Sequence, residues 1–411
     1  MDIAAHPAAW TPSRAAGLTR AKAFQPSMGS RYTNRRNYDQ GPGRHDGVSQ
    51  LSPYVRRRLV TERELVDLAL ASHDKNAAEK FIHEVFWRTY FKGWLENRPS
   101  VWTQYRTGLE RDLAGLGGDK GLAKRVRQAE DGATGIECFD AWAEELVETG
   151  YLHNHARMWF ASIWVFTLGL PWRIGADFFL RHLIDGDPAS NTLGWRWVAG
   201  LHTKGKAYEA QAWNIEKFTG GRFRPAPRDL NANIVPLEEA AEVPPSSPPR
   251  TPSGIQSGVP SALLIHEDDC RVEDFAVPFN DLAGVATLRV SHLRSPREVA
   301  PYVHDFDTGA LADAAARASE HGAPEAKEIV ADRPERLIEW AERAGAKQII
   351  TPFIPVGPTQ DYLLRAAPAL KQAGIRLAEV RRDWDSLTWP HATAGFFKVK
   401  KAIPKVLSQL G

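Results

Sequence analysis

Four groups of residues in this sequence stand where they can do chemistry. The first is a group of charges set in apolar surroundings: Arg157, and then Asp185 and Asp187 in the stretch Leu183-Ile-Asp-Gly-Asp-Pro188. If buried, such charges need partners or a bound group to complete them. The second is indole. Trp172, Trp195 and Trp197 fall close together in the sequence, and tryptophan both stacks and gives up an electron while staying in its stack. The third is Glu84-x-x-Trp87-Arg88, where positions three apart on a helix project together, so a carboxylate and an indole can face one opening. A fourth element, Ser49-Gln50-Leu51-Ser52-Pro53, brings hydroxyls and backbone N–H groups into the start of a helix, which makes an anion site or simply a cap. Each group also has an ordinary structural reading: salt bridge, aromatic core, packed helix face.

The elements that must carry these residues follow from periodicity. Residues 76–97 place apolar side chains at three- and four-residue steps, with Asn76 as N-cap, so Phe81, Val85, Tyr90 and Trp94 share faces of one helix. Residues 137–149 are amphipathic, and 153–169 are apolar on most sides, as in a central helix. Residues 1–30 show no periodicity and read as an arm ordered by docking. The region 31–225 reads as helical, and 226–260 is a Pro/Ser-rich, semi-rigid linker. From 261 to 411 the period changes. Short apolar runs at 261–265, 285–290, 347–351 and 376–380 alternate with helical stretches at 309–320, 333–344 and 359–373, which predicts a mostly parallel sheet covered by helices.

The chain has 411 residues, enough for two domains with separate cores. No apolar run is long enough to span a membrane, and the N-terminus does not read as a secretory signal, so a cytoplasmic location is expected. The two cysteines, Cys138 and Cys270, exclude a disulfide framework and a four-cysteine metal site, and no metal is expected. The net charge of +2 hides an uneven spread: residues 1–228 carry an excess of about seven bases and the remainder about five acids, so the first part can meet an anion.

Taken together, Gly150-Tyr-Leu-His-Asn-His-Ala-Arg-Met158, Leu170-Pro-Trp-Arg-Ile-Gly175 and Asp185-Gly-Asp-Pro-Ala-Ser-Asn-Thr-Leu-Gly-Trp-Arg-Trp197 resemble the flavin pocket of the cryptochrome/photolyase family. Tyr32-Thr-Asn-Arg-Arg-Asn37 and Gly47-Val-Ser-Gln-Leu-Ser-Pro-Tyr54 resemble its further flavin elements, with Val48 where the family prefers Thr. The resemblance is strong over 32–218 and weaker over 260–405, where Ala262–Asp274 and 343–399 are similar to parts of the family's front domain. It implies an α-helical, photolyase-like FAD-binding domain followed by a smaller α/β domain with a mostly parallel sheet, the reverse of the family's usual order.

The resemblance also implies roles. FAD would be held by Tyr32, Ser49, Gln50, Leu51, Ser52, Arg88, Asn154, Arg157, Asp185, Asp187 and Asn191. An Arg157–Asp185 pair would lie beside the ring, and Asn191 would face it with an amide able to accept or donate a hydrogen bond. Trp195 and Trp172 would be the proximal and middle members of an electron-transfer chain. No Trp stands near residue 119 for the outer member, a place that Trp102, Trp142, Trp159 or Tyr151 could take. Glu84, Trp87, Asn154, Met158 and Trp197 would line the cavity for a flipped pyrimidine dimer, with Glu84 able to protonate it. His155 stands where several family members have Arg. After residue 200 the resemblance fades, and Lys204, Lys206 and Lys217 could contact phosphates or be plain surface lysines. The implied activity is blue-light-dependent repair of pyrimidine dimers in damaged DNA by electron transfer from reduced flavin, a carbon–carbon lyase reaction. The alternatives are a cryptochrome-like photoreceptor signalling to a protein partner, or a light-independent flavoprotein. An antenna chromophore is not readable.

Overall fold

The computed structural model describes residues 10–203, 205–239 and 243–410. Its first half is a set of twelve helices: α1 (Arg14–Phe24), α2 (Ser30–Arg35), α3 (Ser52–Arg56), α4 (Glu62–Ser72), α5 (Lys75–Glu96), α6 (Ser100–Gly118), α7 (Lys120–Glu130), α8 (Glu137–Thr149), α9 (Asn154–Ser162), α10 (Trp172–His182), α11 (Pro188–Val198) and α12 (Ala212–Phe218). Central among them is α5, most of whose residues from Phe81 onward are buried. It starts one residue before the expected span because Asp74, not Asn76, is the cap, its carboxylate accepting from the N–H groups of Asn76 and Ala77, both at 2.9 Å. The apolar segment after His153 forms α9 and then relaxes into a π-helical turn over Ile163–Thr167. The N-terminal arm contains α1, capped by Ser13. Its periodicity is hard to see because the residues it buries are the small Gly17 and Ala21.

The second half is β1 (Ser261–His266), β2 (Gly284–Arg289), α13 (Pro301–Glu320), β3 (Ala326–Val330), α14 (Pro334–Arg343), β4 (Gln348–Pro352), α15 (Pro358–Gln372), β5 (Arg376–Val380), α16 (Asp383–Thr388) and α17 (Phe397–Leu410). The five strands form one parallel sheet in the order β3-β2-β1-β4-β5. Strand β3, with its charged Lys327 and Glu328, lies at the edge and lacks the apolar run that would mark it in sequence. Every residue of β1 is buried, as a central parallel strand requires. Its Ala262 and Leu264 face the cluster that holds α14 and α15, whereas Leu263 and Ile265 join a core shared with the helical half.

The two halves are tied in three ways. The linker bridges them: Glu239 binds Arg173 and Arg196, the N–H of Ser247 donates to Asn97, and Arg250 pairs with Glu379. Helices α16 and α17 leave the sheet and cover α5, with Trp384 donating to the Thr89 hydroxyl at 2.8 Å. Finally Arg56, Arg57 and Arg58 enter the crevice beyond the carboxyl ends of the strands, where open parallel sheets commonly bind ligands. Arg56 reaches Asp268 at 2.8 Å, Arg57 pairs with Asp307, and Arg58 meets Asp269 and Asp385 at 3.1 and 2.7 Å.

Candidate flavin and substrate site

The site forms where α5, α9 and α11 meet behind α2. Asp187 caps α11, accepting from the Ser190 N–H at 2.8 Å, and the turn ahead of it presents Asp185 to Arg157 on α9. That pair is 2.8 Å apart, and Arg157 is steadied by donating its Nε–H to the Leu152 carbonyl and lying over the Tyr151 ring. On the α5 side Lys92, Arg88 and Arg56 lie 3.3, 3.6 and 3.8 Å from Asp187. Burial alone would raise the Asp187 carboxyl, but these three cations override it and hold it well below the usual carboxylate range. Lys92 was not among the expected residues, although the four-residue spacing of Glu84, Arg88 and Lys92 marks one face of α5.

Several buried polar atoms here make no hydrogen bond: Asp185 Oδ1, Thr192 Oγ1 and Trp195 Nε1, and also Asp187 Oδ2 and Arg88 Nε, which have only ion-pair neighbours. Such atoms are costly unless something completes them. Asn191 donates one amide N–H to the Ala176 carbonyl at 2.8 Å, which fixes the amide's orientation and leaves its second N–H and its carbonyl oxygen for other partners. Ser49, Gln50 and Ser52 are half-buried in the loop leading into α3, with Leu51 buried between them. Ser49 Oγ accepts weakly from the Leu51 N–H, and Gln50 adopts a left-handed backbone with φ of 51°. Tyr32 is buried edge-on against Phe81.

Glu84 is part-exposed and bound to Arg36 at 2.5 Å. Burial raises its carboxyl above the ordinary value, and Arg36 opposes the rise. Arg36 is a second residue outside the expected set, carried by the same Tyr32–Asn37 element. Trp87 stacks face to face on Phe396, with centroids 4.0 Å apart and planes at 13°. Trp197 is 37% exposed and neighbours Tyr208. Among the described residues the two indoles are not in ring contact, so no sandwich is formed. Met158 is half-buried and Asn154 exposed at the start of α9, while His155 turns away to stack on Trp159 and bond the Asn37 carbonyl. Lys206 and Lys217 are exposed; Lys204 lies outside the described residues.

Trp195 is surrounded by Phe160, Trp164 and Phe179. It lies so close to α10 that a Cβ on Gly175 would come 2.4 Å from its ring, which explains the glycine of Trp172-Arg-Ile-Gly175. Trp172 is not in ring contact with Trp195 among the described residues. It neighbours Tyr105 at 5.8 Å, which stacks on Trp102 at 5.3 Å, and Trp102 donates to Asp361. Behind the site, Asp39, His45 and Glu145 bring ligand-type atoms within 4.8 Å of one another. Both Asp39 oxygens are already engaged, by Gly41, Trp142 and Arg222, and His45 is bound to Glu145. His153 stacks on the His45 ring, with centroids 5.7 Å apart.

Residues 81–219 match the family model of the FAD binding domain of DNA photolyase. The chain is 36% identical over 159 residues to a deoxyribodipyrimidine photo-lyase of Streptomyces griseus, covering 38% of this chain and 33% of that protein. It is 32% identical over 203 residues to that of Thermus thermophilus, covering 48% and 45%. A bacterial class III photolyase structure from Agrobacterium tumefaciens is 25% identical with a TM-score of 0.43, over 51% of this chain and 43% of that one. The chain thus spans between a third and a half of the length of these relatives. Residues 81–219, which carry the motifs of 150–197, are thus similar to the FAD-binding domain of the cryptochrome/photolyase family.

Proposed function

We propose that this chain binds FAD between α5, α9 and α11 and, in the cytoplasm, uses blue light to repair pyrimidine dimers in DNA. The observation that carries the reading is the Arg157–Asp185 pair beside Asp187 and Asn191, a constellation with unpartnered polar atoms that a bound polar ring would complete. These residues fit a flavin. Arg157 and Asp185 would offer a donor and an acceptor at the ring edge, Asn191 an acceptor oxygen, and the Ser49–Ser52 turn hydroxyls for a diphosphate, with Tyr32 and Asn154 as further contacts. FAD, when bound, supplies light absorption and a reducing electron.

The chain's own groups do the rest. Trp195 and Trp172 supply electrons from the aromatic core, and Tyr105 and Trp102 extend that row outward from Trp172. Glu84, which pairs with Arg36 and whose carboxyl burial raises, would donate a hydrogen bond or a proton to the lesion. Trp87, Met158 and Trp197 supply the walls for extruded bases. The test is conversion of an oligonucleotide carrying one cyclobutane dimer, in blue light against darkness. Light-dependent restoration that disappears in Trp87→Ala supports the reading; bound, photoreducible FAD without restoration rejects it for this lesion. One observation favours a second reading, a photoreceptor acting on a protein partner: Phe396 already occupies a face of Trp87. That reading predicts photoreduction without repair.

A further inference from the structure

The strongest charge that the proposed chemistry leaves unused lies on α17. Residues 386–410 contain Lys398, Lys400, Lys401 and Lys405 and no acid. Val399, Ala402, Ile403 and Val406 are buried against the helical half, which turns Lys398, Lys401 and Lys405 outward. All three are exposed, and their three- and four-residue steps put them on one face. Phe397 is 64% exposed beside them, with the Lys401 ammonium 4.5 Å from its ring centre.

The position of this row matters as much as its charge. Phe396, immediately before α17, stacks on Trp87, whereas Lys400 reaches Glu79, two turns earlier on α5, at 3.6 Å. The two helices therefore run in opposite senses, and the lysine row extends away from the opening at Glu84 and Trp87. Lys400 also offsets Glu79, an exposed acid of that strip. On the other flank of α5, α2 carries exposed Arg31 and Arg35 next to Arg36, which holds Glu84. The opening is thus bordered by bases on two sides, from elements far apart in the chain.

The geometry points to α17 as a phosphate-gripping element for duplex DNA, with Lys398, Lys401 and Lys405 contacting the backbone beside the aromatic opening. Flexible ammonium groups serve as point contacts that position a duplex without reading its sequence. A lipid surface is the poorer partner, because a helix that lies on a membrane presents its apolar face, and that face of α17 is buried on the protein. The inference rests on the proposed reading for its partner, but α17 lies outside the matched residues 81–219.

The test is binding of the full chain to an undamaged duplex of about 20 bp and to the same duplex with one dimer, in darkness across a salt series. Lysines to alanine at 398, 401 and 405 together should weaken both by about tenfold or more and reduce the slope of log K against log salt by about three. Flavin content should be unchanged, and Lys371→Ala, on an exposed position of α15, should bind as the parent does. If the parent binds duplex and the triple variant binds equally well, the inference is overturned while the proposed function stands. If the triple variant loses binding but the parent repairs no dimer in light, α17 keeps its role and the repair reading falls. No duplex binding by the parent, or loss of binding only to phosphatidylserine vesicles, also overturns the inference.

Discussion

Two of the regions that bury carboxylates in this molecule treat them differently. At the junction between the halves, Glu267, Asp268, Asp269, Asp307 and Asp385 all have partners. Asp268, for instance, accepts from Arg56 and from the Thr359 hydroxyl, and Asp269 from Arg58 and Arg382. In the helical pocket Asp185 and Asp187 each keep one buried oxygen without a hydrogen bond, and Arg157 remains partly open to solvent. Carboxylates whose oxygens are all engaged hold the chain to itself; oxygens left without a hydrogen bond are open to a further donor.

That contrast breaks most visibly at the junction. Asp307→Ala leaves Arg57, which is fully buried, with the Pro53 and Ile184 carbonyls and the Phe306 ring but no carboxylate hydrogen bond, and should cost on the order of 3–5 kcal/mol in denaturant unfolding. Flavin content per folded molecule should stay as it was; a selective loss of flavin would end the distinction between the two regions.

Next in size is a pH effect at the same junction. Burial pushes the Glu96 carboxyl up to about 7, against the Val356 N–H that donates to it. A raised acid favours the protonated folded state, so its contribution is complete below the unfolded pKa of about 4.3 and is lost as pH rises toward 7. Glu96→Gln should flatten a decline of roughly 1–3 kcal/mol across that window. Urea midpoints measured from pH 5 to 7.5 check it, and an unchanged slope would remove Glu96 from the account.

In the pocket the order of effects should reverse. Asp185→Asn should cost only about 1 kcal/mol of stability, since Arg157 is partly solvated, yet weaken FAD binding at least tenfold, read from flavin absorbance after dialysis. The smallest effect should come from Phe396→Leu, which keeps much of the buried volume, costing less than about 1.5 kcal/mol, while baring one face of Trp87. Acrylamide quenching of tryptophan fluorescence should rise; no change would mean that Phe396 is not what covers Trp87.

The pocket is legible in sequence because its charges, glycines and indoles are concentrated in short motifs whose chemistry cannot be met by ordinary core residues. Gly175 and Trp195 show this well, since each makes sense only with the other. The elements that escaped are those set by partners distant in the chain. Strand β3 is an edge strand whose outward side is charged, and α1 buries only small residues, so neither shows a hydrophobic period. Helices α16 and α17 have apolar faces, but nothing local says that those faces belong on α5. Arg36 and Lys92 were visible as residues, and their ion pairs became evident only once α2, α5 and α11 were brought together.

The contact between Gly175 and the Trp195 ring reaches beyond geometry into inheritance. With no room for even a methyl group, position 175 cannot drift independently of its neighbours: alanine there requires both the Trp195 and the Trp164 indoles to give way. A change at 175 thus depends on what stands at 195, whereas glycine at 175 leaves position 195 free to shrink.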